Sequence, residues 1–191
     1  MEKKLQSYHH FKGNDLSPSE KVQQKVIELL LTTRIPDSQR DSSIVFELKH
    51  STEVAQIARI LSQKRNLNIT LCEVIAVLHD ISVIVTGSYK THAISGGPIA
   101  EKILIEIGGF SQKEIQIIIE GVVHHSEKEL ISENPYVEMI KDADVFACSY
   151  LENAEDGYRL GKSSAVFKST TERIKKVRKE LGLLNIPIYR K

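Results

Sequence analysis

Tryptophan is absent from this chain of 191 residues, and aromatic residues make up only 6% of it. Ile, Leu and Val must therefore fill the core. Cysteine is almost missing as well. Cys72 and Cys148 are the two thiols, too few for a disulfide framework. Both lie in apolar-periodic segments, Leu71-Cys72-Glu73-Val74 and Phe146-Ala147-Cys148, and read as small core residues in a reducing compartment. Net charge is nearly lacking: Lys plus Arg total 26 and Asp plus Glu 25, leaving +1. That balance does not suit a nucleic-acid coat or an acidic tail. No apolar run approaches the ~20 residues of a membrane span. The opening residues, Met1-Glu2-Lys3-Lys4-Leu5-Gln6, carry no apolar stretch of the kind found in signal peptides. Together these absences predict a cytoplasmic protein with no membrane partner.

What is present suits one soluble globular domain, since 41% of residues are hydrophobic and 27% charged. Residues 1–16 are a polar lead-in that includes His9-His10, a pair expected to be solvated. Residues 17–191 read as a single all-α domain of six to eight helices. Ser17-Pro18-Ser19-Glu20 places an N-cap, a Pro at the first helical position and a Glu at the third. Val22, Val26, Leu29 and Leu30 form the apolar stripe behind it. Residues 36–43 read as a loop, and a second helix is expected from about 45 to 65. Thr70-Leu71-Cys72-Glu73 has the form of a capping box, opening a helix apolar nearly all round and therefore central. Residues 82–91 read as a connection. Gly97-Pro98 opens or kinks a helix that ends at Gly108-Gly109. Ser111 caps the next, Asn134-Pro135 starts one running to about Asn153, and a last helix covers about 164–181. Val83-Ile84-Val85-Thr86 is a β-branched run too short to make a convincing strand.

Chemistry concentrates in five histidines: His50, His79, His92, His124 and His125. His79 is followed directly by Asp80 on the most apolar helix. An ionised carboxylate buried there is costly unless compensated, and a bound cation is the simplest compensation. On that basis Asp80→Asn is expected to leave the metal-free chain as stable or more so. Imidazole nitrogen and carboxylate oxygen together suit divalent Mn, Fe, Zn, Co or Ni rather than Ca. Two later acids compete for one position. Asp142 and Asp144 lie about 200° apart on a helix. Asp144 borders the apolar stripe beside Ile140 and Ala147, whereas Asp142 falls towards solvent.

The order His50, His79-Asp80, Asp144 on an all-α chain resembles the HD-domain superfamily of metal-dependent phosphohydrolases. The resemblance rests on His50-Ser51-Thr52-Glu53-Val54-Ala55, Ala76-Val77-Leu78-His79-Asp80-Ile81 and Asp142-Ala143-Asp144, and spans about residues 45–150. It implies that His50, His79, Asp80 and Asp144 hold one metal ion. Thr91-His92-Ala93-Ile94-Ser95-Gly96-Gly97 and the adjacent His124-His125 resemble the dinuclear branch. There His92, His124 and His125 would hold a second ion, with Asp80 touching both. Such a site would use a metal-activated water to hydrolyse a small phosphate ester, with a nucleotide as the expected partner and nucleic acid disfavoured. Lys90 and Lys141 are candidate phosphate contacts, with Lys90 and Asp80 the candidate catalytic groups. The same resemblance admits an iron oxygenase, or a regulatory module that binds a nucleotide without turnover. The chain lacks the Gly-Tyr-Pro signature after its paired histidines that marks cyclic-di-GMP phosphodiesterases. It also lacks the paired Glu-Asp of stringent-response hydrolases, so a chemistry is indicated rather than a substrate. The final helix carries Arg173, Lys175, Lys176, Arg178 and Lys179 opposite Ile174, Val177 and Leu181, an ordinary basic face. A homo-oligomer is compatible with all of this.

Overall fold

A computed structural model describes residues 16–184 and 186–190; His9-His10 lies outside the described residues. All regular structure among them is helical. Helix α1 (Pro18–Thr32) starts on the expected capping box, with Ser17 and Glu20 each satisfying the other's backbone N–H. Helix α2 (Ile44–Lys64) is capped by Ser43, whose hydroxyl accepts from the Phe46 N–H. Helix α3 (Ile69–Leu78) is the central rod: every residue from Leu71 to Leu78 is buried, and α1, α2, α6 and α7 pack around it. Helix α4 (Ile81–Thr86) continues from it after a break at the His79-Asp80 doublet. Helices α5 (His92–Ile107) and α6 (Gln112–His124) form a close antiparallel pair. Helix α7 (Pro135–Cys148) lies against α2 and α3, α8 (Ala154–Gly161) is short, and α9 (Ser164–Glu180) packs on α7.

Four boundaries differ from the sequence reading, each for a local reason. The cap of α3 is Asn68, whose side-chain oxygen accepts from Leu71 N–H. Glu73 is not a capping partner of Thr70, because it binds the Ser19 hydroxyl and the Arg59 guanidinium instead. Residues 81–86 are helical rather than a connection. Burial of Ile81, Ser82, Val83 and Ile84 overrides their weak helix propensity. Arg40 donates to the carbonyls of Val83 (2.9 Å) and Ile84 (3.3 Å) in the last turn. Helix α5 begins at His92, with Pro98 inside it. Helix α7 ends at Cys148, where the chain turns through Asn153 at φ 59° before α8.

Taken together, Ile69–Thr86 is long and apolar enough to cross a membrane, contrary to the expectation that no stretch is, but 72% of it is buried inside the fold. It is the core helix pair. Its break carries the doublet, and the surrounding helices bring the other histidines to that break.

Candidate metal centre

Four other helices converge on the junction of α3 and α4. His79 is the C-cap of α3 and Asp80 the N-cap of α4, so the chain direction changes between them and both side chains reach the same point. His50 comes from the second turn of α2, His92 is the first residue of α5, His125 follows the last residue of α6, and Asp144 projects from α7. His50 Nε2 lies 3.2 Å from Asp144 Oδ1 and 3.8 Å from Asp80 Oδ2. His79 Nε2 lies 3.2 Å from Asp80 Oδ2. On the other side, Nε2 of both His92 and His125 lies 3.4 Å from Asp80 Oδ1.

Tautomers decide what these atoms can do. The Nδ1 atoms of His79, His92 and His125 sit 2.7, 2.8 and 2.7 Å from the carbonyls of Ala76, Tyr89 and Val122. A carbonyl only accepts, so each Nδ1 carries the proton, and the neutral ring leaves a lone pair on Nε2. The lone pairs of His92 and His125 face each other, their Nε2 atoms 3.1 Å apart, and His79 Nε2 lies 3.2 Å from His50 Nε2. Two unprotonated nitrogens as close as those of His92 and His125 repel; a cation between them turns the contact attractive. Asp80 Oδ1 is buried and has no hydrogen-bond partner, as expected of an atom whose partner is an ion rather than a proton. The donor set therefore fits a metal. His50, His79 and Asp80 could hold one ion, with Asp144 Oδ1 3.2 Å from His50 beside them, and Asp80, His92 and His125 another. The outer-nitrogen bonds to backbone carbonyls fix the ring orientations as metal-ligating histidines require.

The charges respond to this crowding. Burial disfavours ionisation of Asp80, yet His79 and His125 overcome it and hold its carboxyl well below the usual range. Burial likewise opposes ionised Asp144, but Lys128 and His50 hold it low. For His50, burial is outweighed by Asp144 and Cys148, and its pKa lies well above the ordinary imidazole value. His79 is raised for a parallel reason, Asp80 prevailing over burial. Burial wins at His125, which is lowered.

Several expected roles are not those the structure gives. His124 points away from the cluster: its side chain is 46% exposed and Nδ1 pairs with Glu127 at 3.0 Å. Adjacent residues at the end of a helix face directions about 100° apart, and His125 takes the inward one. Lys90 is exposed and does not line the pocket. Lys141 is buried away from it, its ammonium donating to the Leu130 carbonyl and Glu138. Asp142 is not solvated. It is fully buried and binds Arg65, Arg173 and Lys176, each at 2.8 Å, because α9 covers that face of α7. Arg173 accordingly leaves the basic face and is buried. Cys148 is not plain core either: its thiol lies 3.7 Å from Asp144 Oδ1 and 4.0 Å from His50 Nδ1, on the pocket wall.

A pocket of about 350 Å³ opens directly above the cluster. Phe46 stacks on His50 with ring centroids 5.4 Å apart. Leu151, Tyr158 and Val166 form an apolar wall, and Lys128 and Lys162 are its cations. The sequence reading passed over Lys128, whose only signal was its place three residues after His125. Tyr89 was missed too. Its carbonyl orients His92, and its hydroxyl donates to buried Glu47 at 2.9 Å.

Comparison with known proteins agrees with this geometry. The site and fold are of the HD type, a family of generally metal-dependent hydrolases. The family model for the HD domain matches residues 48–148, and the chain belongs to that family. Ribonuclease Y of Chlorobium phaeobacteroides is 28% identical over 102 residues, covering 53% of this chain and 18% of that protein. Ribonuclease Y of Petrotoga mobilis is 30% identical over 103 residues, again 53% of this chain and 18% of the relative. The chain thus matches only a small part of these longer proteins. No solved structure matches it.

Proposed function

We propose that this protein is a metal-dependent phosphohydrolase acting on a small phosphate ester of nucleotide size. The observation that carries the reading is the pair of Nε2–Nε2 contacts flanking one shared carboxylate, Asp80. Two donor sets joined through Asp80 favour two ions over one. Divalent ions held there would lower the pKa of a bound water and offset charge on phosphoryl oxygens. Mn, Fe, Zn, Co and Ni all suit nitrogen and carboxylate donors. The protein's own contribution is to hold six imidazole and carboxylate residues rigidly and to keep one side of the pocket apolar. A volume of about 350 Å³ lies at the lower end of small-ligand pockets. Leu151, Tyr158 and Val166, which narrow it, lie beyond residues 48–148. A pocket of that volume favours a compact substrate over a polymer.

RNA is the second reading, favoured by the relatives' name, ribonuclease Y. The test is a metal analysis of protein purified without chelator, followed by phosphate release from Mn-loaded protein. The substrates are a panel of nucleoside phosphates and a short RNA. Turnover of the nucleotides supports the proposal; cleavage of the RNA alone overturns it. Mixed-valent iron with oxygen consumption would point to an oxygenase, and nucleotide binding without turnover to a regulatory module.

A further inference from the structure

We infer that Lys128 is the phosphoryl contact of this site, an ammonium held between the metal ligands so that one N–H remains for a substrate oxygen. The inference rests on the phosphate-ester reading above. Lys128 follows His125 by three residues and is only 7% exposed. A buried ammonium is costly unless its charge is paired and its hydrogens are used. Two of them are used. Nζ donates to the His125 carbonyl at 2.6 Å and to Asp144 Oδ2 at 2.5 Å. Lysine has three donors, and the third has no acceptor among the described residues, while the residue lines the pocket. Its position is fixed from behind as well. The Lys128 carbonyl accepts from the Ser169 hydroxyl at 2.6 Å and from Arg173 Nε at 2.8 Å. Arg173 is itself locked onto Glu138 and Asp142.

The arrangement couples metal and substrate. Asp144 offers Oδ1 towards His50 and Oδ2 to Lys128, so the carboxylate can face an ion with one oxygen while holding the lysine with the other. Lys162, the other cation of the pocket, is exposed and has no comparable anchorage. A preorganised, desolvated ammonium is worth more to an arriving anion than a solvated one, because little reorganisation is needed. The alternative is that Lys128 merely orients Asp144.

The two roles separate in binding experiments that need no turnover. Wild type, Lys128→Met and Lys128→Gln would be loaded with Mn, their metal content measured, and inorganic phosphate titrated by calorimetry. Removing one charge-assisted hydrogen bond should weaken phosphate binding by about 10- to 100-fold with metal content unchanged. Lys128→Arg should recover most of the affinity. In wild type loaded with diamagnetic Zn, phosphate should shift the lysine ammonium resonance, a measurement that stands even if a variant does not fold. Undiminished phosphate binding in Lys128→Met overturns the inference, and so does a loss that merely follows a loss of Mn. If wild type hydrolyses phosphate esters while the variants bind phosphate normally, the inference fails and the proposed function survives. If phosphate binds through Lys128 but no ester is turned over, the reverse holds.

Discussion

Gly121 is the residue that sets the distance between the two halves of the site. It lies one helical turn before His125, and the residue it faces, Ile75, lies one turn before His79. A Cβ added at Gly121 would stand 2.6 Å from Ile75 Cγ2 and 3.1 Å from both Cγ1 and Cδ1. Ile75 is completely buried, and a β-branched side chain in a helix has one favoured χ1 rotamer, so it cannot swing aside. Gly121→Ala gains about 1 kcal/mol of helix propensity. Against that, overpacking a close-packed core costs about 1–3 kcal/mol, and a 2.6 Å contact on a rigid neighbour belongs at the upper end. The net effect should be a loss of about 1–2 kcal/mol, which for a chain of this size lowers Tm by about 2–8 °C. The remaining strain should push α6 away from α3 and separate His125 from His79, whose ring centroids are 5.0 Å apart. Mn affinity should fall with stability. The assay is a thermal melt with and without Mn, run also on Ile75→Ala and on the double variant. In the Ile75→Ala background the added methyl should no longer destabilise, because the atoms it meets are gone. A Gly121→Ala protein as stable as wild type, with the same Mn-induced rise in Tm, would refute the reasoning.

Three further outcomes are expected. Asp80→Asn should abolish the Mn-induced rise in Tm, since metal stabilises only by binding the folded state. Asp80→Asn should also lower the metal-free Tm, reversing the sign expected from sequence, because His79 and His125 hold the carboxyl well below its usual range and the fold therefore favours its charged form. His124→Ala should change stability by less than about 0.5 kcal/mol and leave metal content unchanged, whereas His125→Ala should lose metal; elemental analysis of the two variants decides it. In the metal-free protein, His50 and His79 titrate above their ordinary value of 6.5. Their stabilising contribution is present in full below that value and is lost as pH rises through the raised pKa. Metal must displace those protons, so the Mn-induced rise in Tm should grow between about pH 6 and pH 8; a rise that shrinks with pH contradicts the protonation assigned to these rings.

The sequence by itself determined the helices whose signals are local. Ser17, Ser111 and Asn134 cap where their spacing says they should, since a cap bonds backbone groups two or three residues away. The uniformly apolar run of α3 marked the centre of the fold. That His50, His79, Asp80, His92, His125 and Asp144 belong to one cluster was legible because few other roles suit a His-Asp doublet on so apolar a helix. Tertiary structure decided the rest. Helix α4 forms where its neighbours bury it and Arg40 caps it, and no short-range pattern encodes either. His124 and His125 are indistinguishable as letters; the face that the end of α6 turns towards the buried junction chooses between them. Asp142 read as solvated because nothing in its own helix announces that α9 will bring Arg173 and Lys176 over it. The same packing buries Lys141 away from the pocket, which Lys128 lines instead. A charged side chain's role depends on which distant charges share its low-dielectric surroundings, and only the folded chain brings those charges together.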